Sequence, residues 1–403
     1  MAEIINVTNT TELYAALSSA QGGERIELAG GDYGSLDIRG MTFPSDVTIV
    51  SADPENPAIV SALTVRDASH LVFDGILFDY VAGPDATDWS KPFYVENSAY
   101  ITIRNSVFDG DEVPSETGSG DFGTAYGLYI TGSDNVVVEN NEFFEFNRGL
   151  VVYSSTNLTV SANDIHTLSS DGMNFVSVDG VLIEGNWIHD FKVDPTSGAH
   201  PDMIQFWTVS GEMASQNVII RDNFLDAGDG DYTQSIFMGT GLVGGSYEDD
   251  VWKNILIEDN VIYNAHVHGI TVGETDGLTI RNNTLLYDGA ADDGSNGGNG
   301  APQIRLNDSS MNVTVVGNIT QDVWNWDAMA SNPGWVVEQN LLVQYTNPNG
   351  ENYYGDLFVN ALAADASLAD LRAVAGGEIE LLGLGAEMTR SDVDITLQAG
   401  PAR

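Results

Sequence analysis

SSDGMNFVSVDGVLIEGNWIHDFKVDPTSGAHPDMIQFWT, residues 169–208, holds the unit from which most of the chain is built. Two similar strand segments, SDGMNFV (170–176) and HPDMIQFW (200–207), flank a turn-strand-turn unit, DGVLIEGNWIHDF (179–191). That unit recurs. HLVFDGILF (70–78), YITIRNSVF (100–108), VVVENNEFF (136–144) and LTVSANDIH (158–166) precede it. VIIRDNFLD (218–226), ILIEDNVIY (255–263), LTIRNNTLL (278–286), VTVVGNITQ (313–321) and WVVEQNLLV (335–343) follow. From the second copy on, an asparagine recurs in each: Asn105, Asn141, Asn163, Asn186, Asn223, Asn260, Asn283, Asn318 and Asn340.

The asparagines are 22 or 23 residues apart four times and 35 to 37 apart four times. The short period is one coil, and the long one is a coil plus an inserted loop. Coils of this length with three short strands predict a right-handed parallel β-helix, an all-β solenoid read as one domain over 1–403. One coil cannot bury its apolar face alone, so coils stack about 4.8 Å apart. The asparagines are read as a corner ladder: Asn tolerates left-handed backbone, and its amides bond along the stack.

Residues 1–40 read as an N-terminal cap with the first strands, 41–345 as stacked coils and 346–403 as a C-terminal cap. Asn9 followed by Glu12 resembles a capped helix start, and LYAALSSA (13–20) continues it. ASLADLRAVAGG (366–377) reads as a short helix, with the IELLGLGAEM tail (379–388) closing the C-terminal end.

A second ladder follows the asparagine segments: YGLYIT (126–131), RGLVVY (148–153), DGMNFV (171–176), DMIQFW (202–207), QSIFMG (234–239), HGITVG (268–273) and PQIRLN (302–307). Strand alternation turns Tyr129, Val151, Asn174, Gln205, Phe237, Thr271 and Arg305 outward, flanked by Tyr153, Val176 and Trp207. Tyr126, Arg148, Asp171, Asp202, Gln234, His268 and Pro302 stand at the strand mouths. Inserted loops at 110–123, 192–200, 226–233, 241–250 and 288–300 are expected to wall this face.

The charge narrows the class. With 14 Lys+Arg against 59 Asp+Glu, the net charge is −45, which repels nucleic acid and anionic membranes. No apolar run is long enough to span a bilayer, so no membrane insertion is expected. There is no cysteine, hence no disulfide or thiolate chemistry. MAEIINV lacks the basic and apolar regions of a secretion signal. An acidic, extracellular, monomeric protein working on a polysaccharide is expected nevertheless.

Asp171 and Asp202 fall about one rung apart. Two carboxylates so placed bind a cation, share a proton, or cap local backbone. Ca²⁺ on the pair, helped by Asn174 and Gln205, is one reading; a glycosidase acid/nucleophile pair is another. Arg148 and Arg305 suit a uronate or sulfate. His200, beside Asp202, is the favoured general base, with Tyr153 as partner and His268 as a second candidate. Lys192, Tyr129, Trp207 and Gln234 complete the expected substrate contacts.

The period, together with GGERIELAGGDYG (22–34) and VTIVSADPENPAIV (47–60), resembles the right-handed β-helix carbohydrate enzymes. These are alginate lyases of the chondroitinase B type, pectate lyases and mannuronan C5-epimerases. SSDGMNF is similar to an epimerase coil carrying a catalytic Asp, which would be Asp171. That family's preceding Tyr-Gly-Phe-Asp-Pro-His motif is replaced here by RGLVVYSS (148–155). The Lys/Arg pair of the lyases has no counterpart, and of the Asp-Asp and Arg-Ile-Lys signatures of polygalacturonases only QIRL (303–306) is an echo. The leading expectation is therefore a lyase or C5-epimerase on an acidic polymer such as alginate, abstracting the C5 proton. A hydrolase using Asp171 and Asp202 is second, and a glycan-binding or adhesive solenoid third.

Overall fold

A computed structural model describes residues 3–115, 117–198, 200–209, 211–239, 251–292, 298–324 and 332–390. The expected loop at 241–250 lies outside them, as do Glu116, Ala199 and residues 293–297 of three other loops. The strands form a right-handed parallel β-helix in which each coil gives one strand to each of three parallel sheets. One coil runs through Asp134–Glu139, Glu142–Phe144 and Phe146–Tyr153. The next begins at Thr156–Ser161, in register on Asp134–Glu139.

The chain groups into two compact units. The first comprises residues 3–169 with 178–181, and the second 170–177 with the described residues from 182 on. The first unit's interior is a phenylalanine stack: Phe78, Phe108 and Phe143 lie face to face at 4.5 and 4.3 Å. Phe93 meets Phe78 and Phe108 edge-on and Phe146 meets Phe93 the same way, an arrangement that adds to their area burial. Helix Thr10–Ser19 starts as expected, with the Glu12 N–H donating to Asn9 and the Thr8 N–H donating to Glu12. It buries Leu13 and Leu17.

The asparagine ladder is real but divides its two tasks between neighbours. Asn141, Asn163, Asn186, Asn223, Asn260, Asn283 and Asn318 are buried, and none has positive φ. The left-handed residue is the one before: Asn140, Ala162, Gly185, Asp222, Asp259, Asn282 and Gly317. Freed from the turn, each buried amide bonds along the stack. In the second unit Asn223 accepts from the Asn186 N–H at 3.0 Å and donates to Asn260 Oδ1 at 2.9 Å and to the Ile183 carbonyl at 3.1 Å. Asn105 proves to be a turn residue, φ 52°, and Ser106 takes its place in the ladder, its N–H donating to Asn141. A hydroxyl ladder, Ser98, Ser133 and Ser155, satisfies another corner of the first unit.

The C-terminal segment departs from expectation. Residues 366–377 form turns, because Ser367 donates to Asp370 and residues 359–360 pair back with Arg372 and Asp370. The helices there are Tyr354–Leu357 and Glu378–Leu382. Tyr354, Phe358, Leu371, Ile379 and Leu384 pack on Phe224, Val261, Leu286, Ile319 and Leu341. The tail thus lies along the outer face of the second unit's middle sheet, where those apolar side chains need covering.

Candidate functional site

In the second unit the third sheet consists of Met173–Val176, Asp202–Phe206, Gln234–Met238, His268–Val272, Gln303–Leu306 and Val323–Trp324. Its register sets out two ladders. Asn174, Gln205, Phe237, Thr271, Arg305 and Trp324 succeed one another on the outer face. Asp202 pairs with Gln234, and continuing the register puts Asp171 before them and His268 after. A register shift next to His268 sets it against Gln303, so Pro302 leaves the mouth ladder.

After each mouth residue two buried positions follow in succession, 172/173, 203/204, 235/236 and 269/270, which breaks the strand alternation. At Gly172 a Cβ would lie 2.4 Å from the Met203 carbonyl oxygen, and at Gly269 2.7 Å from Pro302 Cβ. Asp-Gly at 171–172 and His-Gly at 268–269 are therefore local devices: the glycine seats the backbone and the residue before it projects.

Asp171 and Asp202 are 2% and 1% exposed. The Asp202 N–H donates to Asp171 Oδ1 at 3.0 Å. Gln205 Nε2 donates to Asp202 Oδ2 at 2.5 Å, and Asn174 Nδ2 donates to Gln205 Oε1 at 2.7 Å. Gln205 thus donates at one end of its amide and accepts at the other, linking Asn174, Gln205 and Asp202 in one directed chain. Asn174 Oδ1 and Gln234 Oε1 are left as buried acceptors with no hydrogen-bond partner among the described residues.

Further along, Phe237, His268, Thr271, Arg305, Asp308 and Trp324 line an open cavity of about 400 Å³. Arg305 lies 4.5 Å over the Trp324 ring, and no carboxylate among the described residues is within ion-pair distance of it. His268 Nδ1 is 2.8 Å from Thr271 Oγ1, and its backbone N–H donates to His266 Nδ1. Burial, then the charges of His266 and Arg305, push the His268 pKa down to about 4, so it is a neutral imidazole at neutral pH.

His200 is exposed, at the junction before Pro201. Lys192 is partly buried, and Trp207 is half-buried at a strand end, its N–H on the Phe175 carbonyl at 3.3 Å. Arg148, Tyr129 and Tyr153 belong to the first unit, where Arg148 donates to the Tyr126 hydroxyl at 3.2 Å and Tyr153 stacks on Tyr129. The Ca²⁺ expectation is not met by the donors. Two carboxylate oxygens of the pair are engaged in hydrogen bonds, and no third Asp, Glu or His joins the pair in a metal-binding group among the described residues. A cation taking six to eight oxygens needs more than this. Trp324 escaped the sequence reading; the aromatic one coil after Arg305 was its signal.

This architecture defines the class: a right-handed parallel β-helix, here with a row of polar side chains along one sheet. The family described as right handed beta helix region matches residues 92–285. A polygalacturonase of Fusarium fujikuroi is 25% identical over 212 residues, 46% of this chain and 56% of that enzyme. The chain thus spans little more than half the length of that relative. Among solved structures, the Dettilon tailspike protein superposes with a TM-score of 0.55 at 13% identity, over 83% of this chain and 62% of that one. Pectate lyase Pel9A does so at 0.51 and 14%, over 98% and 94%. At these identities the two structures establish the fold alone.

Proposed function

We propose that the protein is a carbohydrate-active enzyme that hydrolyses glycosidic bonds in a uronate-containing polysaccharide, outside the cell. The observation carrying this reading is the buried Asp171–Asp202 pair on adjacent rungs, joined by the 3.0 Å N–H···O bond. Two carboxyls buried on adjacent rungs do not both ionise cheaply, and in this reading one keeps its proton. That is the equipment for glycoside hydrolysis: the protonated carboxyl gives its proton to the leaving oxygen, and the ionised one attacks the anomeric carbon or activates water. Each carboxyl accepts one N–H, Asp171 from the Asp202 backbone and Asp202 from Gln205, so the two roles are exchangeable within the pair. Asn174 and Gln205 position Asp202. Arg305, flat on Trp324, suits a sugar carboxylate, and neutral His268 accepts a hydroxyl proton.

The likeness to a polygalacturonase supports hydrolysis over C5 proton abstraction. So does the position of His200, which stands exposed, outside the carboxylate and amide network. No Asp-Asp doublet is needed in the sequence, because neighbours in this fold come from successive rungs. Incubation with polygalacturonate and alginate tests the reading. New reducing ends without absorbance near 235 nm are expected; the unsaturated band would establish a lyase instead, and binding without products an adhesive solenoid.

A further inference from the structure

The first unit carries a cluster that the carboxylate pair does not use. Residues 80–92 leave the coil between Leu77–Asp79 and Phe93–Glu96 and lie against strand Asp121–Thr131. The Ala125 N–H donates to the Thr87 carbonyl at 3.2 Å, and the Tyr126 N–H to the Ser90 carbonyl at 2.9 Å. This anchoring holds Lys91 Nζ 3.6 Å from the centre of the Tyr129 ring. Around Tyr129 stand Tyr94, Tyr126 and Tyr153, with ring centres at 5.4, 6.2 and 6.3 Å. Trp89, on the same loop, is 67% exposed.

Packing explains why tyrosines stack on a sheet. It does not explain Lys91. In a chain of net charge −45, this ammonium has no carboxylate within ion-pair distance among the described residues. It is held on a ring face, and burial lowers its pKa. A cation with Glu96 near it but in no ion pair among the described residues, set on one aromatic ring and two residues after an exposed tryptophan in its loop, matches the two halves of a uronate: a carboxylate and the apolar face of a pyranose.

We propose that Lys91, Trp89 and Tyr129 form a binding subsite for a uronate residue of a polysaccharide. Tyr129 seats the Lys91 ammonium, which pairs with the sugar carboxylate, and the exposed Trp89 ring offers the face for the pyranose. The subsite stands on the first unit alone and holds whether or not Asp171 and Asp202 hydrolyse the polymer.

Calorimetric titration of the full chain tests it, with a galacturonate hexamer as probe and the same hexamer with its carboxyls reduced as the neutral control. The Asp202→Asn chain serves as parent, so that the probe is not consumed. Lys91→Ala is expected to weaken hexauronate binding about tenfold, the loss of one charge-assisted contact, with neutral-probe binding unchanged. Lys91→Arg restores it, Trp89→Ala weakens both probes, and the melting temperatures stay put. Unchanged hexauronate affinity in Lys91→Ala, equal parent affinity for both probes, or no hexauronate binding by the parent overturns the proposal. Hydrolysis by the unsubstituted chain is scored separately, so failure of that reading leaves this one standing.

Discussion

The backbone N–H of Asp202 donates to Oδ1 of Asp171 across adjacent rungs at 3.0 Å, so one catalytic candidate holds the other's backbone. Structure and proposed chemistry are therefore separable by substitution. Asp171→Asn keeps an acceptor for that N–H and removes the charge. It should fold with a melting temperature close to the parent's and lose at least about a hundredfold in kcat, the scale of a general acid or base. Asp171→Ala orphans a buried N–H and should also lose about 1–3 kcal/mol of stability. Reducing-end assays beside thermal melts distinguish the two. Wild-type kcat in Asp171→Asn sinks the site assignment.

Gly172 sits where a Cβ would press on the Met203 carbonyl at 2.4 Å. Gly172→Ala should cost about 1–3 kcal/mol through overpacking and displace Asp171, lowering kcat as well. Denaturant unfolding measures the first effect. An unchanged midpoint means that the bend has slack which the geometry denies.

How far this site can be read from sequence depends on where the period holds. The spacing of repeats gave the coils, and alternation gave the outer ladder from Asn174 to Arg305, because both depend on period alone. The mouth row Asp171, Asp202, Gln234 and His268 was legible from the same spacing, and it failed only at Pro302, because the register shifts beside His268. The corner was misplaced by one residue at Asn105 for a different reason: two consecutive polar residues divide the turn and the buried amide, and either looks like the ladder. Lys91 stayed hidden because an inserted loop has no period to place it.

The buried amides offer a stability test at one residue. Asn223 makes bonds to Asn186, Asn260 and Ile183, all within the second unit. Asn223→Ala leaves several buried backbone and amide groups unmatched and should cost about 2–4 kcal/mol, whereas Asn105→Gly, which keeps the exposed left-handed turn free of strain, should cost under about 1 kcal/mol. Equal costs would mean that the buried row is not the structural one.

Acidic groups set the pH response. Burial raises the Asp226 pKa to about 7, with Asp288 and Asp190 adding to it, and burial with Asp259 raises Asp222 to about 6. A folded-state pKa above the unfolded one gives stability that is full below about pH 4 and lost as pH rises through 6 to 7. His268 works the other way: its depressed pKa makes its contribution full above about 6.5 and lost as pH falls toward 4. Two raised carboxyls and a net charge of −45 outweigh one partly exposed imidazole. Melting temperature should therefore be higher at pH 5 than at pH 8. Asp226→Asn, which keeps the acceptor for the Gly228 N–H, should raise the melting temperature at pH 8 and flatten the profile between 4 and 7. A profile as steep as the parent's would place the titrating group elsewhere.

Arg305 tests substrate recognition by the second unit. Its guanidinium lies 4.5 Å over the Trp324 ring, and both line the cavity shared with His268. Lysine keeps the charge but neither the stacking plane nor the paired donors. Arg305→Lys should therefore raise KM for polygalacturonate about tenfold with little change in kcat, as loss of binding shared by ground and transition states does. Arg305→Ala should raise it further, and a carboxyl-reduced polymer should show no difference among the three. A fall in kcat at constant KM would instead put Arg305 at the reacting bond, and would move the cleavage point along the ladder from the aspartates toward His268.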